Sequence, residues 1–211
     1  MERLAVFLTI YNRLEYLDEQ LKQLSNQNNN KFNLYVVNNT PEKIDVPQAE
    51  HVFDMHNEKK MYGRFFAIQE VHKKHEIILN LDDDEILPRM LTDYAYRQYS
   101  SEAIKSFWAF SIAGDYWTRR RLRGAEIGHY AGTGGLLAPS EFFSLPQLYE
   151  APEEYWIIDD LWLSHCVHKY TDYVIKPFNV PIKFIEDRKA TYLSIKQLKS
   201  DFTKDYILPY I

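Results

Sequence analysis

The chain has 211 residues, of which 45% are hydrophobic and 26% are charged, so we expect a folded core rather than a disordered segment. Its net charge of −5 argues against a protein that binds nucleic acid through an overall basic surface. The single cysteine, Cys166, excludes an internal disulfide and favours a reducing compartment, and no apolar run reaches the length of a membrane span. We therefore expect a cytoplasmic protein without membrane insertion, folded as one domain (1–211) with a first half of about 1–100 and a second half of about 101–211.

The first half of the chain alternates between apolar runs and stretches with helical periodicity. The apolar runs predict buried strands at 4–10, 32–37 and 76–81. Helices are predicted after these strands, at about 14–24, 61–75 and 88–99. This order predicts an α/β fold with an open, mostly parallel sheet.

The second half has shorter and less regular segments. Strands are predicted at 105–113, 115–123 and 173–175, and helices at 159–169 and about 191–206. The glycine-containing stretch 129–138 has two interpretations: its backbone N–H groups approach a sugar or phosphate, or it forms a strand with a bulge.

Polar clusters follow the three predicted strands of the first half. They are Tyr11-Asn12-Arg13, Asn38-Asn39 and Asp82-Asp83-Asp84. In an open α/β sheet, ligands bind at the carboxyl ends of the strands. We therefore expect the three clusters to lie together at one ligand site.

The acidic cluster Asp82-Asp83-Asp84 carries the strongest functional signal. Three consecutive carboxylates repel one another, and a divalent cation such as Mn²⁺ or Mg²⁺ removes that repulsion through oxygen ligands. The alternative is an exposed acidic turn in which an aspartate caps the helix predicted at Pro88. The apolar strand that leads directly into the cluster favours the metal site.

Several motifs, taken in chain order, resemble those of GT-A glycosyltransferases. LDDDEIL resembles their DxD motif, and FLTIYNR resembles their first strand and turn. VVNN, Arg64, the segment from Gly134-Gly135 to Phe143, and Asp159-Asp160-Leu161 are similar to segments of the exostosin-type subgroup. The chain also resembles the transferases that build chlorovirus capsid glycans. The resemblance covers roughly residues 4–170 and implies a GT-A fold, with a nucleotide-binding parallel sheet and a smaller mixed sheet on the acceptor side.

The resemblance also implies roles for individual residues on the donor side. Thr9, Tyr11 and Arg13 would line a uridine pocket, Asn38 or Asn39 would bond the uracil, and Arg64 would approach the base or the diphosphate. Asp82 would meet the ribose or the metal, Asp84 would bind Mn²⁺ or Mg²⁺ directly, and Asp83 belongs to the same diphosphate anchor. Gly134 and Gly135 would approach the nucleotide sugar through their backbone. No histidine follows His168, so Glu186, Asp187 or no protein group would complete the metal shell.

On the acceptor side, the resemblance implies that Asp160, with Asp159 beside it, forms the reaction centre. A carboxylate there is a general base in an inverting enzyme, or it orients the acceptor in a retaining one. The alternative is that the pair only caps the helix and complements its dipole. Tyr155 and Trp156, which precede the pair, are candidates for stacking on an acceptor sugar.

These features predict a glycosyltransferase that moves a sugar from a UDP-sugar to a glycan or glycoprotein acceptor. A nucleotidyltransferase would be expected to carry a glycine-rich phosphate loop after the first strand, and Tyr11-Asn12-Arg13 contains no glycine. A non-catalytic nucleotide-sugar-binding domain is the other alternative, and turnover distinguishes it from an enzyme.

Overall fold

A computed structural model of the chain describes residues 2–11, 13–185 and 195–211. Its strands are β1 (Leu4–Ile10), β2 (Phe32–Asn38), β3 (His51–Asp54), β4 (Ile77–Asp82), β5 (Glu85–Ile86), β6 (Ala103–Ser106), β7 (Ala109–Ser111), β8 (Arg120–Arg121), β9 (Tyr130–Ala131), β10 (Leu136–Pro139), β11 (Val174–Pro177) and β12 (Lys183–Phe184). Its α-helices are α1 (Leu17–Ser25), α2 (Gly63–Val71), α3 (Leu91–Gln98), α4 (Asp159–Tyr170) and α5 (Lys196–Phe202).

The central sheet of the described residues has seven strands, in the order β11-β6-β10-β4-β1-β2-β3. Strand β1 pairs in parallel with both β2 and β4, and β3 extends the parallel part beyond β2. Strand β10 runs antiparallel to its neighbours β4 and β6. The predicted α/β class with a mostly parallel sheet is therefore confirmed.

Two smaller antiparallel sheets complete the strand pairing of the described part. Strand β5 pairs with β12, which ties the turn after β4 to the segment near residue 183. Strand β7 pairs with both β8 and β9 to form a three-stranded sheet in the second half. The β5–β12 sheet therefore lies directly after the end of β4.

The core lies on both faces of the central sheet because alternate residues of a strand point to opposite sides. Leu4, Val6 and Leu8 of β1 are buried in a cluster with residues of α1 and α3. Ala5 and Phe7 are buried in a second cluster that includes residues of α2, α4 and α5. Helices therefore cover both faces, and a strand buried on both faces has a largely apolar sequence, as β1 does.

The register aligns the carboxyl ends of the parallel strands. Ile10 is opposite Asn38 across β1 and β2, and Thr9 is opposite Asp82 across β1 and β4. The segments that follow these strands therefore begin side by side at one edge of the sheet.

The second half differs more from its predicted elements than the first. The predicted strand at 115–123 is mostly a 3₁₀ turn at Tyr116–Thr118, in which the Asp115 side chain accepts a hydrogen bond from Trp117 N, followed by the two-residue β8. The predicted helix at about 191–206 begins as α5 at Lys196, and residues 191–194 lie outside the described residues. Within the described ranges, no helix combines the length and apolar character required to cross a membrane.

Candidate active site

The acidic turn after β4 exposes its first and third carboxylates and buries the second. The side chains of Asp82 and Asp84 are 29% and 28% exposed, whereas that of Asp83 is 4% exposed. Strand β4 ends at Asp82, and within the turn Asp83 points inward to contacts with Tyr11 and Arg13. Asp82 and Asp84 therefore share one open side of the turn.

The turn is held from two directions. Gln20 of α1 donates to the backbone oxygens of Asp82 (2.9 Å) and Glu85 (3.4 Å). The backbone N–H of Ile185 donates to the carbonyl oxygen of Asp84 at 2.8 Å. Both contacts fix the backbone and leave the Asp82 and Asp84 side chains available to a ligand.

Asp83 connects the turn to the segment after β1. Its carboxylate accepts a hydrogen bond from Tyr11 N (2.8 Å) and another from Arg13 Nη1 (2.9 Å). Arg13 Nη2 also lies 3.7 Å from Asp84 Oδ2. The structure thus brings Tyr11 and Arg13 to the acidic turn, and Asp83 contributes to the site by holding them there.

Arg64 links the donor-side turn to the start of α4. Its guanidinium is buried, and Nη1 donates to Asp82 Oδ1 at 2.6 Å. Its Nε donates to the Met61 carbonyl oxygen and lies 3.0 Å from Asp159 Oδ2. Its Nη2 has no hydrogen-bond partner among the described residues. One buried cation therefore lies between two carboxylates from distant parts of the sequence.

Gly134 lets the loop before β10 pack directly against the acidic turn. A Cβ atom at this position would lie 2.6 Å from Asp82 Oδ2 and 2.8 Å from Glu85 Oε1. Gly135, with a φ of +62°, follows it, and a Cβ there would lie 2.9 Å from Phe107 Cβ. Any side chain at position 134 would occupy the space beside the Asp82 carboxylate.

Glu85 is a fully buried carboxyl group that sequence reasoning missed. Neither of its side-chain oxygens has a hydrogen-bond partner in the described part of the chain. Burial raises its pKa well above the usual range, and the negative charge of Asp82 acts in the same direction. Burial, followed by the charge of Asp82, raises the pKa of Asp84 to about 6. The sequence signal that could have identified Glu85 was its place directly after the DxD motif.

These carboxylates fit a divalent cation that prefers oxygen ligands. Asp82 Oδ2 accepts no hydrogen bond from the described residues, Asp84 is partly open, and the Glu85 oxygens are unpartnered. In the described ranges, no group of three or more His, Cys, Asp or Glu side chains has the arrangement of a complete metal site. The predicted alternatives Glu186 and Asp187 lie outside the described residues.

The two asparagines after β2 have different environments. The Asn38 amide donates to Glu42 O and Asp54 Oδ1, and its oxygen accepts from the N–H and hydroxyl of Thr40. These four bonds use its full hydrogen-bonding capacity. Asn39 Nδ2 donates to Lys60 O at 3.0 Å, while its Oδ1 has no partner among the described residues. Asn39 is therefore the asparagine that retains an acceptor.

Thr9 is buried and supports the site from behind. Its hydroxyl donates to Asn80 Oδ1 at 3.2 Å, and Asn80 Nδ2 donates to the Thr133 carbonyl oxygen at 2.8 Å. This chain of bonds connects β1 and β4 to the loop that carries Gly134. Sequence reasoning did not include Asn80, which lies within the apolar run of β4.

Asp159 and Asp160 are the first two residues of α4, as predicted from the sequence. Asp159 Oδ1 accepts from Asp160 N (3.0 Å), and Asp160 Oδ1 accepts from Leu161 N (2.8 Å), so both carboxylates bond to N–H groups of the first turn. Burial raises the pKa of Asp159 to about 7, although the positive charge of Arg64 acts in the opposite direction. The N-cap residue, Ile158, makes no side-chain cap hydrogen bond, and the bonds of the two aspartates to first-turn N–H groups engage only one oxygen of each carboxylate.

Asp160 has two further neighbours that the sequence did not suggest. The Tyr130 hydroxyl donates a hydrogen bond to Asp160 Oδ2, and Lys199 Nζ lies 3.7 Å from the same oxygen. The Asp160 side chain is 15% exposed. Side chains thus hold the carboxylate at Oδ2, the Leu161 N–H holds Oδ1, and the group is partly open to solvent.

The two rings proposed for stacking are engaged inside the protein. Trp156 stacks on Tyr62 with a centroid separation of 6.1 Å, and its Nε1 donates to the Ala151 carbonyl oxygen. Tyr155 packs edge-on against Phe202 and Tyr206. Their role in binding an acceptor stays a prediction.

Comparisons with known proteins identify the fold. No protein-family model and no curated protein sequence matches this chain. Among solved structures, Staphylococcus aureus TarS matches 97% of the chain with a TM-score of 0.54 and 12% identity, and its 1–349 fragment matches 83% with a TM-score of 0.50 and 14% identity. The mannosyltransferase PcManGT from Pyrobaculum calidifontis, solved with GDP-Man and Mn²⁺, matches 92% with a TM-score of 0.59 and 16% identity.

The chain covers 41%, 58% and 60% of the lengths of these three solved chains, respectively. At such low identity, the likeness establishes the fold alone. The protein has the α/β GT-A fold found in glycosyltransferases.

Proposed function

We propose that the protein is a metal-dependent glycosyltransferase that transfers a sugar from a UDP-sugar to a glycan or glycoprotein acceptor. The observation that carries this proposal is the position of Arg64 between Asp82 at the end of β4 and Asp159 at the start of α4. It brings the candidate donor carboxylates and the candidate acceptor carboxylates within reach of one guanidinium. A transferase needs such proximity because both substrates must meet at one centre.

On the donor side, Asp82 and Asp84 would hold Mn²⁺ or Mg²⁺, with substrate phosphates or water supplying the remaining ligands. Such a cation, when bound, would offset the negative charge that develops on the departing nucleoside diphosphate. The GDP-Man and Mn²⁺ bound to the mannosyltransferase of the same fold support a nucleotide sugar and a divalent cation here.

For the nucleotide itself, Asn39 would accept a hydrogen bond from the N3–H group of uracil through its unpartnered Oδ1. Tyr11 and Arg13 would border the same pocket because Asp83 holds both beside the acidic turn. Thr9 and Asn38 would support the pocket, since the structure engages their polar groups within the protein. Gly134 and Gly135 would let the backbone approach the donor beside Asp82.

On the acceptor side, we assign the reacting carboxylate to Asp160. Each carboxylate oxygen has two lone pairs, and Leu161 N–H occupies only one of those on Oδ1. In an inverting transfer, Asp160 would remove the proton of the acceptor hydroxyl as that oxygen attacks the donor sugar. Asp159 would keep Arg64 in place between the two sides of the site.

The test is turnover of nucleotide sugars with Mn²⁺ present, using a panel of UDP-sugars and GDP-sugars and detecting the released diphosphate. We expect release from at least one UDP-sugar in the wild type and a loss of roughly 10²–10⁴-fold in Asp160→Asn, the usual contribution of a general base. Asp18→Asn, on the exposed face of α1, is the matched control and should retain turnover.

Three outcomes would contradict parts of this proposal. Nucleotide-sugar binding without turnover in the wild type would indicate a non-catalytic binding domain. Release from GDP-sugars alone would keep the transferase and reject the uracil contact. Full turnover in Asp160→Asn would reject the assigned role of that carboxylate.

A further inference from the structure

A buried lysine from α5, the last α-helix of the described residues, faces the candidate acceptor-side carboxylate. Lys199 of α5 is 6% exposed, and its ammonium lies 3.7 Å from Asp160 Oδ2. The ammonium also donates to the Tyr116 hydroxyl at 3.2 Å and lies 4.8 Å above that ring. The nearest charged partner of this buried cation is therefore Asp160.

Burial of an ammonium group at this position is unfavourable unless a carboxylate balances it. Burial lowers the pKa of Lys199, but the negative charge of Asp160 and the contacts with Tyr116 together outweigh burial, so the pKa is raised. Phe202 and Ile207 show that this part of the chain packs against the core with apolar side chains. A lysine at position 199 is thus not needed to fill space.

The charges around Asp160 are balanced by a second cation besides Arg64. Asp82, Asp159 and Asp160 are three carboxylates in one region, and Arg64 lies against the first two. Lys199 is the cation in contact with the third. Without its ammonium, Asp160 would face Asp159 on its own helix and the neutral Tyr130 on β9, with Arg64 as the remaining cation that acts on it.

The contacts also determine which oxygen is available. Tyr130 and Lys199 both approach Oδ2, while Oδ1 is bonded only to the backbone of its own helix. Tyr130 from β9 and Lys199 from α5 therefore fix the rotation of the Asp160 carboxylate.

We infer that Lys199 is a positioning residue for Asp160, whose ammonium holds Oδ2 of that carboxylate so that Oδ1 is the oxygen offered to the acceptor. The inference rests on the proposed function, because it assumes that Asp160 serves the acceptor side. It makes α5, which follows the main body of the fold in sequence, a part of the site.

The experiment is a ¹³C NMR titration of protein labelled at the aspartate carboxyl carbons, with Asp160→Asn identifying the Asp160 resonance. An opposite charge within about 4–6 Å lowers the titration midpoint of a carboxyl group by one to three pH units. We therefore expect the Asp160 midpoint in Lys199→Met to rise by at least about one pH unit. Lys199→Arg should restore the wild-type midpoint, and Lys204→Met, which changes an exposed lysine near the same helix, should leave it unchanged.

Lys199→Gln is the second neutral variant, and it retains a hydrogen-bond donor in case Lys199→Met does not fold. An unchanged midpoint in either folded neutral variant would overturn the inference. Because this titration needs no substrate, it separates the inference from the proposed function.

If a UDP-sugar is turned over, the turnover rate of the neutral Lys199 variants should fall near pH 6 and recover near pH 9, with unchanged UDP affinity. A uniform loss at all pH values would indicate a merely structural role.

Discussion

The two halves of the molecule reach their shared site in different ways. In the first half, the candidate donor residues follow consecutive strands of a parallel sheet, whose register places Asn38, Asp82 and the end of β1 side by side. In the second half, Asp160 depends on Tyr130 from a two-residue strand and on Lys199 from the last helix. The donor side is thus built by regular strand pairing, whereas the acceptor side is built by side-chain contacts between short elements.

Arg64 is the residue whose removal should affect this arrangement most, since it joins the two halves. Arg64→Met leaves Asp82 and Asp159 without their shared cation, and breaking a buried ion pair in this way costs about 3–5 kcal/mol. Urea unfolding should show this loss, together with loss of turnover. Arg97→Met, at an exposed arginine of α3, is the control and should change the unfolding free energy little.

A stability change below about 1 kcal/mol in Arg64→Met would show that the two halves are held together without this contact, because that is the size expected of an exposed pair. Arg64→Lys should give an intermediate result, since lysine keeps the charge and loses the planar fork.

Gly134→Ala tests how closely the second half approaches the acidic turn. Its methyl group would meet Asp82 Oδ2 at 2.6 Å, so we expect Mn²⁺-dependent UDP affinity to fall by at least about tenfold, or 1.4 kcal/mol. Calorimetric titration measures this change. Gly124→Ala is the control. It also adds a methyl group to a glycine, one with a positive φ of 59°, but that added Cβ would meet no neighbouring atom within 4 Å. Equal affinities for wild type and Gly134→Ala would place the donor away from this loop.

Substitutions of Asn38 and Asn39 should have different effects, one on stability and the other on nucleotide binding. Asn38→Ala removes four internal hydrogen bonds, so it should lower the unfolding free energy by about 1–3 kcal/mol. Asn39→Ala should instead weaken UDP more than pyrophosphate, because only UDP carries the base. Equal weakening of both ligands would remove Asn39 from the base contact.

Acidification should have the smallest effect, and it should be greater in α4, which carries two histidines with a lowered pKa, than near His75, whose pKa burial also lowers in the first half. Burial lowers the pKa of His165 and of His168, both on α4, so the unfolded chain binds more protons at these sites than the folded one. Their contribution to stability is present above the unfolded pKa of about 6.5 and is lost as the pH falls below it. Hydrogen exchange at pH 7.5 and 5.5 should show a greater loss of protection in α4 than in β1. Equal losses in both elements would contradict this difference between the halves.

Most of the first half was predictable because its strands are buried on both faces. The apolar runs predicted β1, β2 and β4, and the helices differ by a few residues, as in α1, which begins at Leu17 after a 3₁₀ turn at Leu14–Tyr16. Strand β3 was missed because His51 and Asp54 at its two ends are exposed, which leaves a short edge strand without an apolar run.

The second half was less predictable because its structure depends on contacts between residues far apart in the sequence. The position of α4 followed from its own pattern, but the 3₁₀ turn at Tyr116–Thr118, capped by Asp115, interrupts the segment predicted as a strand at 115–123. Nothing local to Tyr130 or Lys199 indicates that they meet at Asp160. Likewise, the different states of Asn38 and Asn39 depend on Asp54 and Lys60, which no pattern connects to them.

The measurement that tests the proposed site most directly is calorimetric titration of UDP into the wild type, Asp84→Asn and Asp18→Asn, each with and without Mn²⁺. We expect Mn²⁺-dependent UDP binding in the wild type and in the exposed-helix control, and loss of that dependence in Asp84→Asn. UDP binding with the same Mn²⁺ dependence in Asp84→Asn, or no UDP binding by the wild type, would contradict the assignment of the acidic turn as the nucleotide and metal site.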